Sequence, residues 1–416
     1  MVHVPMQTAP QSFAATSALC DRPEIELLLC CARTQLDCAI AERIEALLRL
    51  SLNWTYLLRI ASQHGVMLLL YQNLAATCPS AVPKDILNQL RQYSYKNALR
   101  NASLTQELIN IIRLLEKNNI PAIPFKGPVL AASAYDNLAL RKFSDLDILV
   151  RQQDFAKTIE VLIHQGGYQL GDRTWHFLSH SREEAFIHTE PEYALHKHGV
   201  VIDLHQSLTP RCFLTTELSF EYMWEKRQSL SIAGHVLDGF SVEDSLLYLC
   251  IHTAKECWRS LKWLCDIAEF IGRHPAIDWM SVSARSKELG IERRVWVSLL
   301  LVHEILQVPL PTVAQYHLQL DPAIQPLAQQ IASRLFVEKP YSSAILDPKK
   351  TRFHLKTMEC WQNKFRYSFC YFSRLLQAAV QPPTSKDLEF WHLPRSWYRL
   401  YYLIRPVRLI WQRSTH

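Results

Sequence analysis

The chain has 416 residues, 49% of them hydrophobic and 20% charged, a balance that excludes intrinsic disorder and exceeds what one apolar core accommodates. A formal charge of +6 and a pI near 8.7 suit an anionic ligand but fall short of a dedicated nucleic-acid binder. No run reaches the roughly 18 apolar residues of a membrane span, the first residues lack the regions of a secretory signal, and the expected location is the cytoplasm.

Residues 1–22 are polar and small, and are expected to form a loose tail. From 23 to 118 the apolar residues recur three and four apart in EIELLLCCA, RIEALLRLSL, WTYLLRIASQHGVMLLLYQNL and SLTQELINIIRLLEKNN, which predicts an N-terminal helical region. Over 119–237 the pattern changes to a mixed α/β core. PAIPF (121–125) reads as a strand, PVLAASAYDN as a short helix and LDILV (146–150) as a second strand. DFAKTIEVLIHQG is an amphipathic helix stopped at Gly166-Gly167. EEAFIHT, EYALHKHG and VVIDLHQSL are further strands, the last two joined by a tight turn at Lys197-His198-Gly199.

A capping box, Ser241 to Asp244, then opens a helical region over 238–335, and 336–416 is aromatic and basic. The eleven cysteines are odd in number and lack CxxC or Cys/His spacing, so neither a disulfide framework nor a zinc site is expected; Cys250, Cys257 and Cys265 read as small buried apolar groups. The predicted fold class is α+β, a small mixed sheet flanked by helical regions on both sides.

The chemistry concentrates in FKGPVLAASAYDNLALRKFSDLDILV, residues 125–150. Asp145 and Asp147, two apart on a strand, present both carboxylates to one face and suit hard divalent cations, Mg²⁺ or Mn²⁺. Two such ions about 3.5–4 Å apart serve phosphoryl transfer. Asp203, in the strand Val201-Ile202-Asp203-Leu204-His205, supplies a third carboxylate if that strand lies beside LDILV, and His205 then supports it. Lys126-Gly127-Pro128 follows a strand end and opens a helix, a reasonable phosphate cradle of free N–H groups plus one lysine; Arg141 and Ser144 lie close enough in sequence to reach the same phosphates.

This order resembles the polymerase-β-like nucleotidyltransferase superfamily, and within it the uncharacterised bacterial family whose core reads K-G, a small-residue helix with Tyr, then R-x-x-x-D-x-D followed by apolar residues and Val. The resemblance covers residues 120–206, with a vaguer likeness to about 312. It implies that Asp145 and Asp147 are metal ligands, that Asp203 is the third carboxylate, and that Lys126-Gly127 stands where other members use Gly-Ser.

His252, Lys255, Arg259, Lys262 and Asp266 recur at helical steps as one polar stripe. The bland reading is a solvated face; the functional one gives His252, Lys255 and Asp266 to nucleotide binding. Histidines 176, 180, 188, 196 and 198 match no metal-ligand spacing. The C-terminal run FWHLPRSWYRLYYLIRPVRLIWQRSTH suits an interfacial anchor, a stacking surface for single-stranded nucleic acid, or packing on the body. The expected activity is transfer of a nucleotidyl group from a nucleoside triphosphate such as ATP to an unidentified hydroxyl-bearing acceptor, with nucleic acid possible but not indicated. A non-catalytic module of the same fold is the alternative, and a toxin-like transferase acting on tRNA or protein is a third.

Overall fold

The computed structural model describes residues 22–170, 192–210, 212–337 and 347–380. Four short helices come first: α1 (Pro23–Cys31), α2 (Cys38–Leu48), α3 (Trp54–Gln63) and α4 (Met67–Thr77). Asp37 and Asn53 cap α2 and α3 by accepting from Ile40 N–H and Tyr56 N–H, which leaves fewer orphan donors at each helix start. Sequence periodicity runs through α3 and α4 as one helix, whereas Gly65, at φ +70°, breaks it in two. The long helix α5 (Lys84–Lys117) then leads into the sheet.

Five strands form that sheet in the order β1 (Ala122–Phe125), β2 (Leu146–Val150), β5 (Val200–His205), β4 (Glu192–Lys197) and β3 (Gln169–Leu170). The β2–β5 pair is parallel and the others antiparallel. Helix α6 (Gly127–Tyr135) connects β1 to β2, and α7 (Phe155–His164) follows β2. The β4–β5 hairpin closes through His198 and Gly199, both at positive φ, the backbone a two-residue hairpin turn demands. EEAFIHT lies outside the described residues.

The chain is thus mixed α+β, as expected, with one addition. A second hairpin, β6 (Gln228–Ile232) and β7 (His235–Gly239), follows the short helix α8 (Phe220–Glu225). Ala233-Gly234, both at positive φ, is its turn, the sequence signal that the α/β reading passed over.

Alternation divides the strands between two apolar cores. Ile148, Val150, Ile202 and Leu204 enter one with Leu104 to Leu115 of α5. Ile123, Phe125 and Leu149 enter the other, shared with α9 (Val242–Lys255), α10 (Leu261–Arg273) and α12 (Glu292–Leu306). Helices α11 (Trp279–Leu289), α13 (Thr312–Leu320), α14 (Ile324–Ala332), α15 (Pro348–Lys356) and α16 (Trp361–Val380) complete the described chain. Ser241 caps α9 by accepting from Asp244 N–H.

The predicted polar stripe is corrected here. It runs over two helices, because Cys257 and Trp258 take left-handed backbone between α9 and α10. Trp258, fully buried, donates its indole N–H to Ser298 Oγ at 2.9 Å; burial of that ring sets the break, and no glycine or proline announces it. Cys250, Cys257 and Cys265 are buried free thiols, and burial pushes the Cys250 and Cys257 thiols up to about 12.

Candidate active site

The site begins at the end of β1. Lys126 turns the chain with φ 53° and ψ −146°, a backbone conformation costing a side-chain-bearing residue about 1–3 kcal/mol. Gly127 follows at φ +38°, and a Cβ there would stand 3.2 Å from the Asp145 carbonyl oxygen. Gly127→Ala is therefore expected to lose about 1–2 kcal/mol of stability; an unchanged urea midpoint would refute the close approach of this turn to the Asp145 strand.

In the parallel β2–β5 register Asp147 stands opposite Asp203, and Leu149 opposite His205. Strand side chains alternate, so Asp147, Asp203 and His205 share the sheet face that looks toward α9 and α10, with no register slip. Asp145 lies two residues before Asp147, half-buried, and Ser144 beside it is exposed.

Asp147 is 4% exposed and is not a bare carboxylate. Lys126 Nζ donates to its Oδ1 at 3.0 Å, and His205 Nε2 lies 3.1 Å from the same oxygen. Burial alone would raise the carboxyl, but Lys126 and then His205 hold it well below the usual carboxylate range. Burial would likewise depress the Lys126 ammonium; the Asp147 charge and Tyr248 overcome it and hold the lysine above its ordinary value. The ammonium also sits 5.4 Å from the ring centres of Phe125 and Tyr248.

From the helical side, α9 brings His252 and Lys255 and α10 brings Lys262. His252 stacks 6.2 Å from Tyr248 and meets Trp263 edge-on at 5.5 Å. Burial pushes its imidazole well below the ordinary value, and the charges of Lys126 and half-buried Lys255 push the same way. Lys262, a member of the polar stripe that the sequence does not single out, lies among the charges of Arg141, Asp266, Asp145 and Lys126 and is a further candidate. Burial, with Arg141 adding, lowers its ammonium to about 8, against the pull of Asp266 and Asp145. The N-terminal helices fix its place: His64 O accepts from Lys262 N–H at 3.1 Å, and Gly65 leaves room for the stem, since a Cβ there would come 3.1 Å from Lys262 Cδ.

Arg141 and Asp266, expected at the nucleotide, are turned toward each other. Arg141 donates through Nε at 2.7 Å and Nη2 at 2.9 Å to the two carboxylate oxygens, and Tyr135 Oη donates at 2.8 Å. Asp266 is 2% exposed. Asn101 of α5 holds the Arg141 carbonyl at 2.8 Å. These groups clamp α10 and α5 to the loop that leads into Asp145, so Arg141 spends its paired donors on Asp266 rather than on a phosphate.

Among the described residues no group of three or more His, Cys, Asp and Glu side chains is gathered as a metal cluster. The donor chemistry nonetheless fits a hard cation, since Asp145, Asp147 and Asp203 offer carboxylate oxygens. His196 and His198 lie on β4 and its turn, away from the Asp147 end of the β4–β5 ladder; His176, His180 and His188 lie outside the described residues.

The model of the uncharacterised nucleotidyltransferase family matches residues 51–307, more than half of the chain. The chain belongs to that family. In this chain the match takes in the turn at Lys126, both strands carrying aspartates, and helices α9 and α10. A solution structure of the antibiotic-resistance factor ANT(2'')-Ia is similar at 11% identity over 45% of this chain and 94% of its own, with a TM-score of 0.32, too slight a likeness to transfer a residue role. No curated protein matches the chain.

Proposed function

We propose that the chain transfers a nucleotidyl group from a nucleoside triphosphate to a hydroxyl-bearing acceptor, with Asp145, Asp147 and Asp203 holding Mg²⁺ or Mn²⁺. The observation that carries this reading is the register pairing Asp147 with Asp203 beside the Lys126-Gly127 turn. Bound there, the metal supplies charge neutralisation at the phosphates and polarises the reacting oxygens.

The chain's own groups do the rest. The first N–H groups of α6, with Lys126, receive phosphate oxygens, and Ser144 lies at the exposed edge of the same loop. His252, Lys255 and Lys262 border the face that a base or ribose would occupy. Asp203 accepts the proton of the acceptor hydroxyl. The Arg141–Asp266 clamp positions the loop without touching the ligand.

A second reading, a nucleotide-binding module without catalysis, is favoured by one observation: Lys126 and His205 both lie against the Asp147 carboxylate. The two part experimentally. Triphosphates with Mg²⁺ at millimolar concentration are expected to raise the melting temperature, as any ligand selective for the folded state does, and labelled triphosphate is expected to mark an acceptor in cell extract. Asp145→Asn, at a half-buried position, should abolish labelling while the protein stays folded. A melting shift without labelling in either form leaves the binding module; no shift with any triphosphate ends both readings.

A further inference from the structure

Helix α16 is built inside out. Its inner side carries Asn363, 1% exposed, which donates to Thr215 Oγ1 at 2.8 Å and to the Gly290 carbonyl at 3.4 Å. Arg366 donates to the Thr215 carbonyl at 3.0 Å, and Tyr367 meets Phe213 and His354 edge-on. The outer side carries Trp361, Phe365, Phe369 and Phe372, which are 71%, 66%, 63% and 57% exposed. Steps of four, four and three place these rings within an arc of about 80°. Burying an asparagine while leaving four aromatic rings in water reverses the usual order, and an exposed apolar patch of this kind marks an interaction surface. The inner hydrogen bonds fix the helix's rotation, so the stripe cannot turn inward.

Charge identifies the partner. Residues 347–380 contain seven Lys and Arg against two acids, Asp347 and Glu359. Both acids are withdrawn from the surface: Asp347 is buried capping α15, and the two Glu359 carboxylate oxygens are buried. Residues 381–416 add six basic against two acidic residues, so the stretch from 347 onward carries net +9 while the whole chain carries +6. On α16 itself Lys364 and Arg366 flank the aromatic stripe, each about 60° outside its edge by helical geometry, Arg366 with one guanidinium nitrogen on the Thr215 carbonyl and its other donors remaining for an anion. An uninterrupted aromatic face with basic residues along both margins is the arrangement of a helix lying in a lipid interface, rings at the acyl boundary and cations on the headgroups. A single-stranded nucleic acid would instead call for cations interleaved with the rings along one groove. No described helix is long and apolar enough to cross a membrane, which agrees with in-plane seating.

We propose that α16 docks the protein on an anionic lipid surface through Trp361, Phe365, Phe369 and Phe372. The test uses the full chain in flotation with vesicles of phosphatidylcholine alone and with phosphatidylglycerol added. Binding is expected only to the phosphatidylglycerol vesicles and should weaken with salt. In Phe365→Ser/Phe369→Ser it should fall about tenfold or more, with an unchanged melting temperature, since both rings are exposed. Absent binding to phosphatidylglycerol vesicles, or equal binding by that variant, overturns the proposal. It is equally overturned if the same variant instead loses binding to single-stranded DNA that excludes vesicles, or loses a dimer formed without lipid. None of these outcomes depends on nucleotidyl transfer, so the two proposals stand or fall separately.

Discussion

Asp147→Asn is expected to remove transfer activity by orders of magnitude and also to destabilise the fold by about 3–5 kcal/mol, the cost of removing one partner from a buried ion pair. From sequence alone this carboxylate reads as an exposed cleft group whose neutralisation costs little stability. At 4% exposure, with Lys126 and His205 on one oxygen, neutralisation instead strands a buried ammonium. The pH dependence follows from the two shifts. Asp147 has a depressed folded pKa, so its contribution is present above the unfolded carboxyl value and is lost as pH falls through the folded one. Lys126 is raised, so its contribution is present below the ordinary lysine value and is lost as pH rises through the folded one. The wild-type contribution of the pair should therefore stay flat from about pH 5 to pH 9, while in the variant the stranded ammonium is relieved as it deprotonates, so the gap should narrow from the alkaline side. Urea unfolding across pH checks this, and a gap that narrows as pH falls from about 7 to 5 would mean that the pair is not formed.

The second large effect is expected at the clamp. Arg141→Met leaves the Asp266 carboxylate buried with Tyr135 as its remaining described hydrogen-bond donor, and Asp266→Leu leaves a buried guanidinium without its counter-charge. Each single change should cost about 3–5 kcal/mol, while the double replacement, which removes both charges, should recover most of the loss. A double-mutant cycle by urea unfolding measures the coupling. Simple additivity would show that the two residues act independently, against a geometry in which both guanidinium donors meet both oxygens. Transfer activity should fall in the single variants as well, because the Arg141 loop runs directly into Asp145.

What the sequence made legible followed local rules. LDILV matches β2 residue for residue, VVIDLH became β5, and the turn at His198-Gly199 sits where glycine allowed it. Alternation then placed Asp147, Asp203 and His205 on one face without any knowledge of the partners. The unread parts are long-range. Nothing near Arg141 in the chain points to Asp266, 125 positions later, and both looked like solvated ligand contacts because charge is visible in a sequence while burial is not. The division of the polar stripe into two helices depends on where Trp258 packs, which is a tertiary matter. Lys262 is a candidate that local rules miss, because a turn at His64-Gly65, contributed by the N-terminal helices, supports it from outside the α/β core.

Helix α5 has a consequence of its own. Its 34 residues extend about 51 Å at the usual rise, and they serve two masters: Leu90 belongs to the core shared with the N-terminal and C-terminal helices, whereas Leu104 to Leu115 line the core beneath the sheet. Asn101, between these stretches, grips the loop that carries Arg141. Neither core can therefore melt in isolation without tugging on the rod that seats the other. A protease nicking the middle of α5 would not release a tidy catalytic fragment; it would cut the beam on which both halves of the molecule hang.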